Sequence, residues 1–206
     1  PFSDPLADGP VIQASSNKAL TNGMTLTLLF EQLKEIRNDI KIPVLLMGYL
    51  NPVLQFGIQR FCEKCNEVGV DGVILPDLPM HEYEQLYMPF FKENNLLNIF
   101  LVTPQTSNER IQKIDALSEG FIYAVAVSST TGTKQGEWEE QQAYFKKLKT
   151  MQLKNPFMIG FGISNGDAFR RACQYASGAI VGSAFVNFIR ERNTKIGIAG
   201  FIKQLR

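Results

Sequence analysis

Histidine is almost missing from this sequence: His81 stands alone among 206 residues. A metal centre built on imidazoles needs more than one such ligand, so His81 reads as a surface residue at a helix start. Cysteine is scarce as well. Cys62, Cys65 and Cys173 make an odd set without a disulfide framework, which fits a reducing compartment. Cys62 and Cys65 do form a C-x-x-C, but within the helical pattern of Ile58, Phe61, Cys62, Cys65 and Val68. That spacing favours packing over redox or metal chemistry, because a helix interior lacks the exposed N-terminus that lowers a thiol pKa. Neither sign of charge dominates. With 21 Lys+Arg against 20 Asp+Glu there is no electrostatic pull toward nucleic acid or an anionic membrane. No apolar run approaches the roughly 20 residues of a transmembrane helix. No G-x-G-x-x-G turn follows a first strand, as a dinucleotide-binding open sheet would want.

What is present alternates. "IPVLLMGY", "DGVILPD", "NIFLVTP", "FIYAVAV", "PFMIGFG" and "GAIVG" are six short, nearly all-apolar strands, each followed by a helical pattern. The helices are "LQFGIQRFCEKCNEVG", "EYEQLYMPFFKEN" with a kink at Pro89, "TSNERIQKIDALS", "EWEEQQAYFKKLKTM", "SNGDAFRRACQYA" and "SAFVNFIRERN". A short last helix carries Phe201, Ile202 and Leu205. Ahead of the first strand, "TLTLLFEQLKEIR" forms an amphipathic helix, and Asn22-Gly23 ends an earlier one. Capping boxes are expected at Thr106–Glu109 and Ser164–Asp167. Continuously apolar strands are buried on both faces, which means a parallel sheet in an α/β fold. A (β/α)8 barrel needs eight such units in about 250 residues. Six are found, a shortfall of two units, on the order of 45–50 residues. The chain opens inside a loop, "PFSDPLADGP", so the expectation is one TIM-barrel domain over residues 1–206 that holds strands three to eight and lacks the first two βα units.

A barrel places its chemistry in the loops after the strands. The opening loop offers Asp4 and Asp8. The loops after the next strands offer Tyr49 and Asn51, then Asp77. "SSTTGTKQG" is the longest polar loop, in which Thr131-Gly132 is either a lid hinge or an exposed turn. The last two loops carry Gly162 and Gly182-Ser183. Glycine lets a ligand approach the backbone, and a helix opening at Ser183 presents free N–H groups, so these turns suit a phosphate monoester held by backbone dipoles. The plainer reading is that the glycines only let strands turn into helices. Tyr49, Ile74, Leu101, Tyr123 and Phe161 add an apolar slot with one acid, Asp8, near its mouth. A flat aromatic substrate with a phosphate tail fits it, although core packing also accounts for Tyr123.

"PFSDPLADGP", "LLMGYLNPVLQFG", "GVDGVILPDLP", "GFGIS" and "GAIVGSA" occur in this order along the whole chain. Together they resemble the tryptophan synthase α-subunit family. The resemblance implies a (β/α)8 barrel that cleaves indole-3-glycerol phosphate by a retro-aldol reaction to indole and glyceraldehyde 3-phosphate, in cytoplasmic tryptophan biosynthesis. It makes Asp8 the catalytic aspartate, with Tyr49, Ile74, Leu101, Tyr123, Thr131 and Phe161 against the substrate. Gly132, Gly162, Gly182 and Ser183 become the phosphate site. Asp4, Pro5 and Asn51 face a β subunit that carries pyridoxal phosphate in an α2β2 heterotetramer. No metal or cofactor is implied for this subunit. The family's general acid–base is a glutamate that falls just before Pro1. The 206 residues alone are therefore expected to be inactive. Two other readings stand beside this one: a barrel isomerase or epimerase of sugar phosphates, and a regulatory subunit that binds a phosphorylated ligand without turning it over.

Overall fold

The computed structural model describes residues 8–126, 135–160, 162–191 and 194–205. They form two compact units, the second starting at Leu101 and the first including Leu117–Gly120. In the first unit, β1 (Leu45–Met47), β2 (Gly72–Ile74) and β3 (Leu97–Ile99) lie parallel in the order β1-β2-β3. Leu46 pairs with Val73 and Val73 with Asn98, while Met47 pairs with Ile74 and Ile74 with Ile99. Side chains alternate along a strand, so Ile74 shares a face with Met47, and Leu46 shares the other with Val73.

The helices of this unit are shorter than the apolar periodicity suggests. Pro10 opens α1 (Pro10–Thr21), where its missing N–H costs nothing, and Gly23 at φ 82° ends it. Thr25 caps α2 (Leu26–Leu33) by accepting from the Leu28 N–H at 3.1 Å, and a short α3 (Ile36–Asp39) follows. The helix expected across "LQFGIQRFCEKCNEVG" is two helices, α4 (Leu50–Phe56) and α5 (Ile58–Glu67). They break at Gly57, whose φ of 94° no helix tolerates and few side chains would accept. The segment with Pro89 starts as α6 (Met80–Glu82), widens into a π-helical turn over Tyr83–Tyr87 and resumes as α7 (Met88–Glu93). The wider turn accommodates the proline ring and its missing donor, so the expected kink is a π-bulge.

Aromatic rings fill the core of this unit. Phe30 meets Phe56 at 5.6 Å and Phe61 at 5.7 Å; Tyr83 meets Phe91 and Phe100 edge-on, each at 5.2 Å. Cys62 and Cys65 are completely buried, as a packing role requires. Burial first, then the Glu63 charge, pushes the Cys62 thiol up to about 12, and burial and the Cys62 charge push Cys65 up as well. Alkylation at pH 8 is therefore expected to modify Cys173, which is exposed, and to spare the other two until the protein is denatured. Mass spectrometry counts the adducts; two or three on the native protein would contradict the packing.

In the second unit, β4 (Leu101–Val102), β5 (Ile122–Val125), β6 (Phe157–Gly160) and β7 (Gly178–Ile180) are parallel in that order. The single strand expected at "NIFLVTP" is recorded as β3 and β4, on either side of Phe100. The helices are α8 (Asn108–Leu117), α9 (Gln135–Thr150), α10 (Gly166–Cys173), α11 (Ser183–Glu191) and α12 (Thr194–Leu205), the last longer than the sequence suggested. Both helices are capped one residue later than the expected boxes, and with Arg110 and Ala168 three residues along neither cap is a box. Ser107 accepts from the Arg110 N–H at 3.3 Å, while Thr106 accepts from the Thr103 N–H and closes the preceding turn. Asn165, extended at φ −152°, accepts from the Ala168 N–H at 2.9 Å in place of Ser164, because the cap goes to the residue whose backbone has left the turn.

Asp115 ties α8 to the loop that leads into β6. Its carboxylate accepts from the backbone N–H of Lys154 at 2.6 Å and of Asn155 at 2.9 Å, and the Asn155 amide donates to Asp115 at both its carbonyl and its side chain. Asp115→Ala strands the buried Asn155 N–H and the half-buried Lys154 N–H, leaves the Asn155 amide its bond to the backbone carbonyl, and is expected to cost about 2–4 kcal/mol. A urea midpoint unchanged from wild type would refute the anchor.

Candidate active site

The turn after β1 is held from two directions. Gly48 donates its N–H to the Ile74 carbonyl at 3.1 Å, extending the ladder past β1. Leu50, the first residue of α4, donates its N–H to both carboxylate oxygens of Asp77, at 2.9 and 3.0 Å. Tyr49 lies between these anchors with an extended backbone, φ −120° and ψ 152°. Its buried side chain reaches out of the turn, and its hydroxyl donates to Oδ2 of Asp8 at 3.0 Å. Asp8 is fixed on its other side, where its backbone carbonyl accepts from the Gln13 amide at 2.7 Å.

Asp8 and Tyr49 open onto a cavity of about 810 Å3 in the first unit. Leu46, Val73, Leu75, Phe56 and Phe61 contribute apolar wall, and Asp8 is the only charged side chain among the described residues that line it. Asn51 stands exposed at the same rim. Ile74 does not line this cavity: it is buried on the sheet face opposite Leu46 and Val73. The structure thus brings Asp8, Tyr49 and Asn51 to one cavity. It adds a hydrogen bond that residue types alone did not reveal. Asp77, noted in the sequence only as a loop acid, turns out to be a ligand of the α4 N-terminus.

In the second unit, Leu101 and Tyr123 are register partners, side by side on one face of the sheet. The Tyr123 ring leans along the sheet over Gly160. A Cβ at position 160 would lie 2.1 Å from the Tyr123 hydroxyl oxygen. Burial raises the Tyr123 phenol to about 12, so it stays neutral and can donate a hydrogen bond throughout the physiological range. The requirement for glycine at 160 was missed in the sequence, although a glycine inside an otherwise apolar strand is the usual mark of a close approach.

Past β6, Gly162 adopts φ 73° in the left-handed region. Past β7, the Gly182 carbonyl accepts from the N–H groups of Phe185 at 2.9 Å and Val186 at 3.1 Å, so Gly182 stands at the head of α11 and Ser183 is its first residue. The space over Gly182 is open: a Cβ built there meets nothing within 4 Å. A bare backbone with free space ahead of a nine-residue helix is chemistry suited to an anion. Thr131, Gly132, Phe161, Asp4 and Pro5 lie outside the described residues. Among the described residues no three His, Cys, Asp or Glu side chains cluster as a metal site, and no helix is long and apolar enough to cross a membrane.

The family model described as tryptophan synthase alpha chain matches residues 1–200. The tryptophan synthase alpha chain of Christiangramia forsetii is 54% identical over 206 residues, covering 100% of this chain and 80% of the relative. That of Flavobacterium psychrophilum is 53% identical over 205 residues, covering 100% and 81%. Among solved structures, tryptophan synthase subunit alpha from Campylobacter jejuni superposes with a TM-score of 0.84 at 31% identity, covering 100% of this chain and 81% of that one. A chain of the tryptophan synthase complex from Pyrococcus furiosus gives 0.86 at 31%, covering 100% and 83%. The parallel βα order and the whole-length match converge on one lineage and on its barrel fold class, and the chain belongs to the tryptophan synthase alpha chain family.

Proposed function

We propose that this protein is a carbon–carbon lyase that cleaves indole-3-glycerol phosphate to indole and glyceraldehyde 3-phosphate. The observation that carries the reading is the Tyr49–Asp8 hydrogen bond at the rim of a cavity where Asp8 is the only charged side chain among the described lining residues. Tyr49 occupies Oδ2 and leaves Oδ1 to accept from the indole N–H. When C3 of the indole takes a proton, the ring becomes a cationic indolenine, and the Asp8 carboxylate stabilises that charge. The bond from C3 to the side chain then breaks. Its electron pair returns to the ring, and the hydroxyl on the departing carbon loses its proton to become the aldehyde. No residue of the 206 is assigned the proton transfers, which the family gives to a glutamate.

Leu101, Tyr123, Ile74 and Phe161 form apolar wall in this reading. Gly162, Gly182, Ser183 and Gly132 take the phosphate, and Thr131 belongs to a lid over Asp8. Asn51, Asp4 and Pro5 face a β subunit in an α2β2 assembly, and pyridoxal phosphate belongs to that subunit. The compartment is the cytoplasm. The test is turnover. The complete gene product, given indole-3-glycerol phosphate, releases indole and glyceraldehyde 3-phosphate in equal amounts. Ser183→Asp places a negative charge at the anion site and abolishes saturable binding. Equal KM in that variant and the wild type would refute the phosphate assignment, and absence of indole release would refute the reaction.

A further inference from the structure

We infer that Asp77 is a positioning residue for the acid of this site: it fixes the turn from which Tyr49 orients Asp8. The inference rests on the lyase reading above. Its structural core is a relay of three contacts, all within the first unit. Asp77 accepts from the Leu50 N–H, Leu50 follows Tyr49 directly, and the Tyr49 hydroxyl donates to Asp8.

Local chemistry explains why an outside residue is needed. The first N–H groups of a helix have no partner within it and are usually met by a Ser, Thr, Asp or Asn just ahead of it. The residue ahead of α4 is Tyr49, whose side chain makes no capping hydrogen bond because it extends instead to Asp8. Asp77 supplies the missing acceptor from 27 residues away, in the turn after β2. The same stretch provides the second clamp, since Ile74 accepts from Gly48. Tyr49 is therefore bracketed on both sides by anchors from residues 74–77. With both anchors in place, the backbone from which its hydroxyl reaches Asp8 is held on either side. A cap that served helix stability alone would not need to stand beside the residue that touches the acid.

The experiment uses the complete gene product with 13C at the aspartate carboxyl carbons, the Asp8 signal being the one lost in Asp8→Asn. Asp77→Ala is expected to move that signal in the same direction as Tyr49→Phe, with no further movement when the two are combined. Asp77→Asn keeps an oxygen for the Leu50 N–H and leaves the signal close to wild type. Ile111→Ala, a cavity in the core of the second unit, lowers the melting temperature without moving it. Should Asp77→Ala fail to fold, Asp77→Glu keeps the acceptor but displaces it by one methylene and gives a partial movement. In the cleavage assay Asp77→Ala lowers kcat by about tenfold to a hundredfold with KM nearly unchanged, and that loss vanishes in the Tyr49→Phe background. Two results overturn the role: an Asp8 signal that stays at wild type in Asp77→Ala or Asp77→Glu, or kcat losses for Asp77→Ala and Tyr49→Phe that simply multiply. A protein whose Asp8 signal responds as described but which releases no indole supports the positioning of Asp8 and overturns the lyase reading instead.

Discussion

Asp8→Asn is expected to reduce kcat for indole release by about a hundred- to a thousand-fold while the turn around it stays intact. The substitution is nearly isosteric. Its Oδ1 can still accept from the Tyr49 hydroxyl, which is 3.0 Å from Oδ2 in the wild type, and the backbone carbonyl still accepts from Gln13. What disappears is one full negative charge beside an apolar wall. The ground-state indole is neutral and gains little from that charge. The protonated indolenine is cationic and gains a great deal, so the loss falls on kcat more than on KM. Removing one such preorganised interaction typically costs about 3–4 kcal/mol. Tyr49→Phe supplies the contrast, because it keeps the charge and removes only the donor that orients it. Steady-state kinetics on the three proteins decides the matter. If Asp8→Asn retained wild-type kcat, or if its whole effect appeared in KM, Asp8 would be a binding residue and not the stabiliser of a developing cation.

The βα alternation was legible in the sequence because buried parallel strands leave continuous apolar runs such as "DGVILPD", and the helices between them keep a 3.6-residue period. Element boundaries were less so. Gly57 sits inside an unbroken apolar stripe, and nothing in that stripe says its φ is 94°. The caps slipped by one because Ser164 and Asn165, or Thr106 and Ser107, are equally good acceptors. Which one caps depends on where the backbone leaves the preceding turn. The site divides in the same way. Asp8 stood out as a carboxylate in a loop rich in proline, and Gly162 and Gly182 as turns suited to an anion. The Tyr49 hydroxyl was hidden, since a tyrosine beside an apolar slot looks the same whether its ring or its oxygen does the work. Asp77 was harder still. Its partner is a backbone N–H 27 residues earlier, and no local pattern records such a pair.

Gly160→Ala is expected to lower both stability and kcat/KM, although it adds a single methyl group to a strand. The added carbon would fall 2.1 Å from the Tyr123 hydroxyl oxygen, 2.3 Å from Cζ and 2.5 Å from Cε1. Separations so short cannot be absorbed by small adjustments. One atom at the tip of a flexible side chain could move aside cheaply, but this is a rigid ring on the neighbouring strand, 4% exposed. The ring must swing as a whole, or the strands must part. Overpacking of this kind costs about 1–3 kcal/mol. The functional effect follows from where the ring goes. In the lyase reading Tyr123 lies against the substrate, and a displacement of about 1 Å at such a contact can cost roughly a hundredfold in kcat/KM. Thermal denaturation and steady-state kinetics measure the two losses. A double-mutant cycle with Tyr123→Ala ties them to one cause: with the ring gone, alanine at 160 has nothing to strike. Both penalties should then shrink to the level of an ordinary Gly-to-Ala change in a strand, leaving a coupling of about 1–3 kcal/mol between the two positions. Additive effects would mean that the residue at 160 acts on something other than the Tyr123 ring. A Gly160→Ala protein that melts and turns over like wild type would mean that the ring does not lie over that backbone at all.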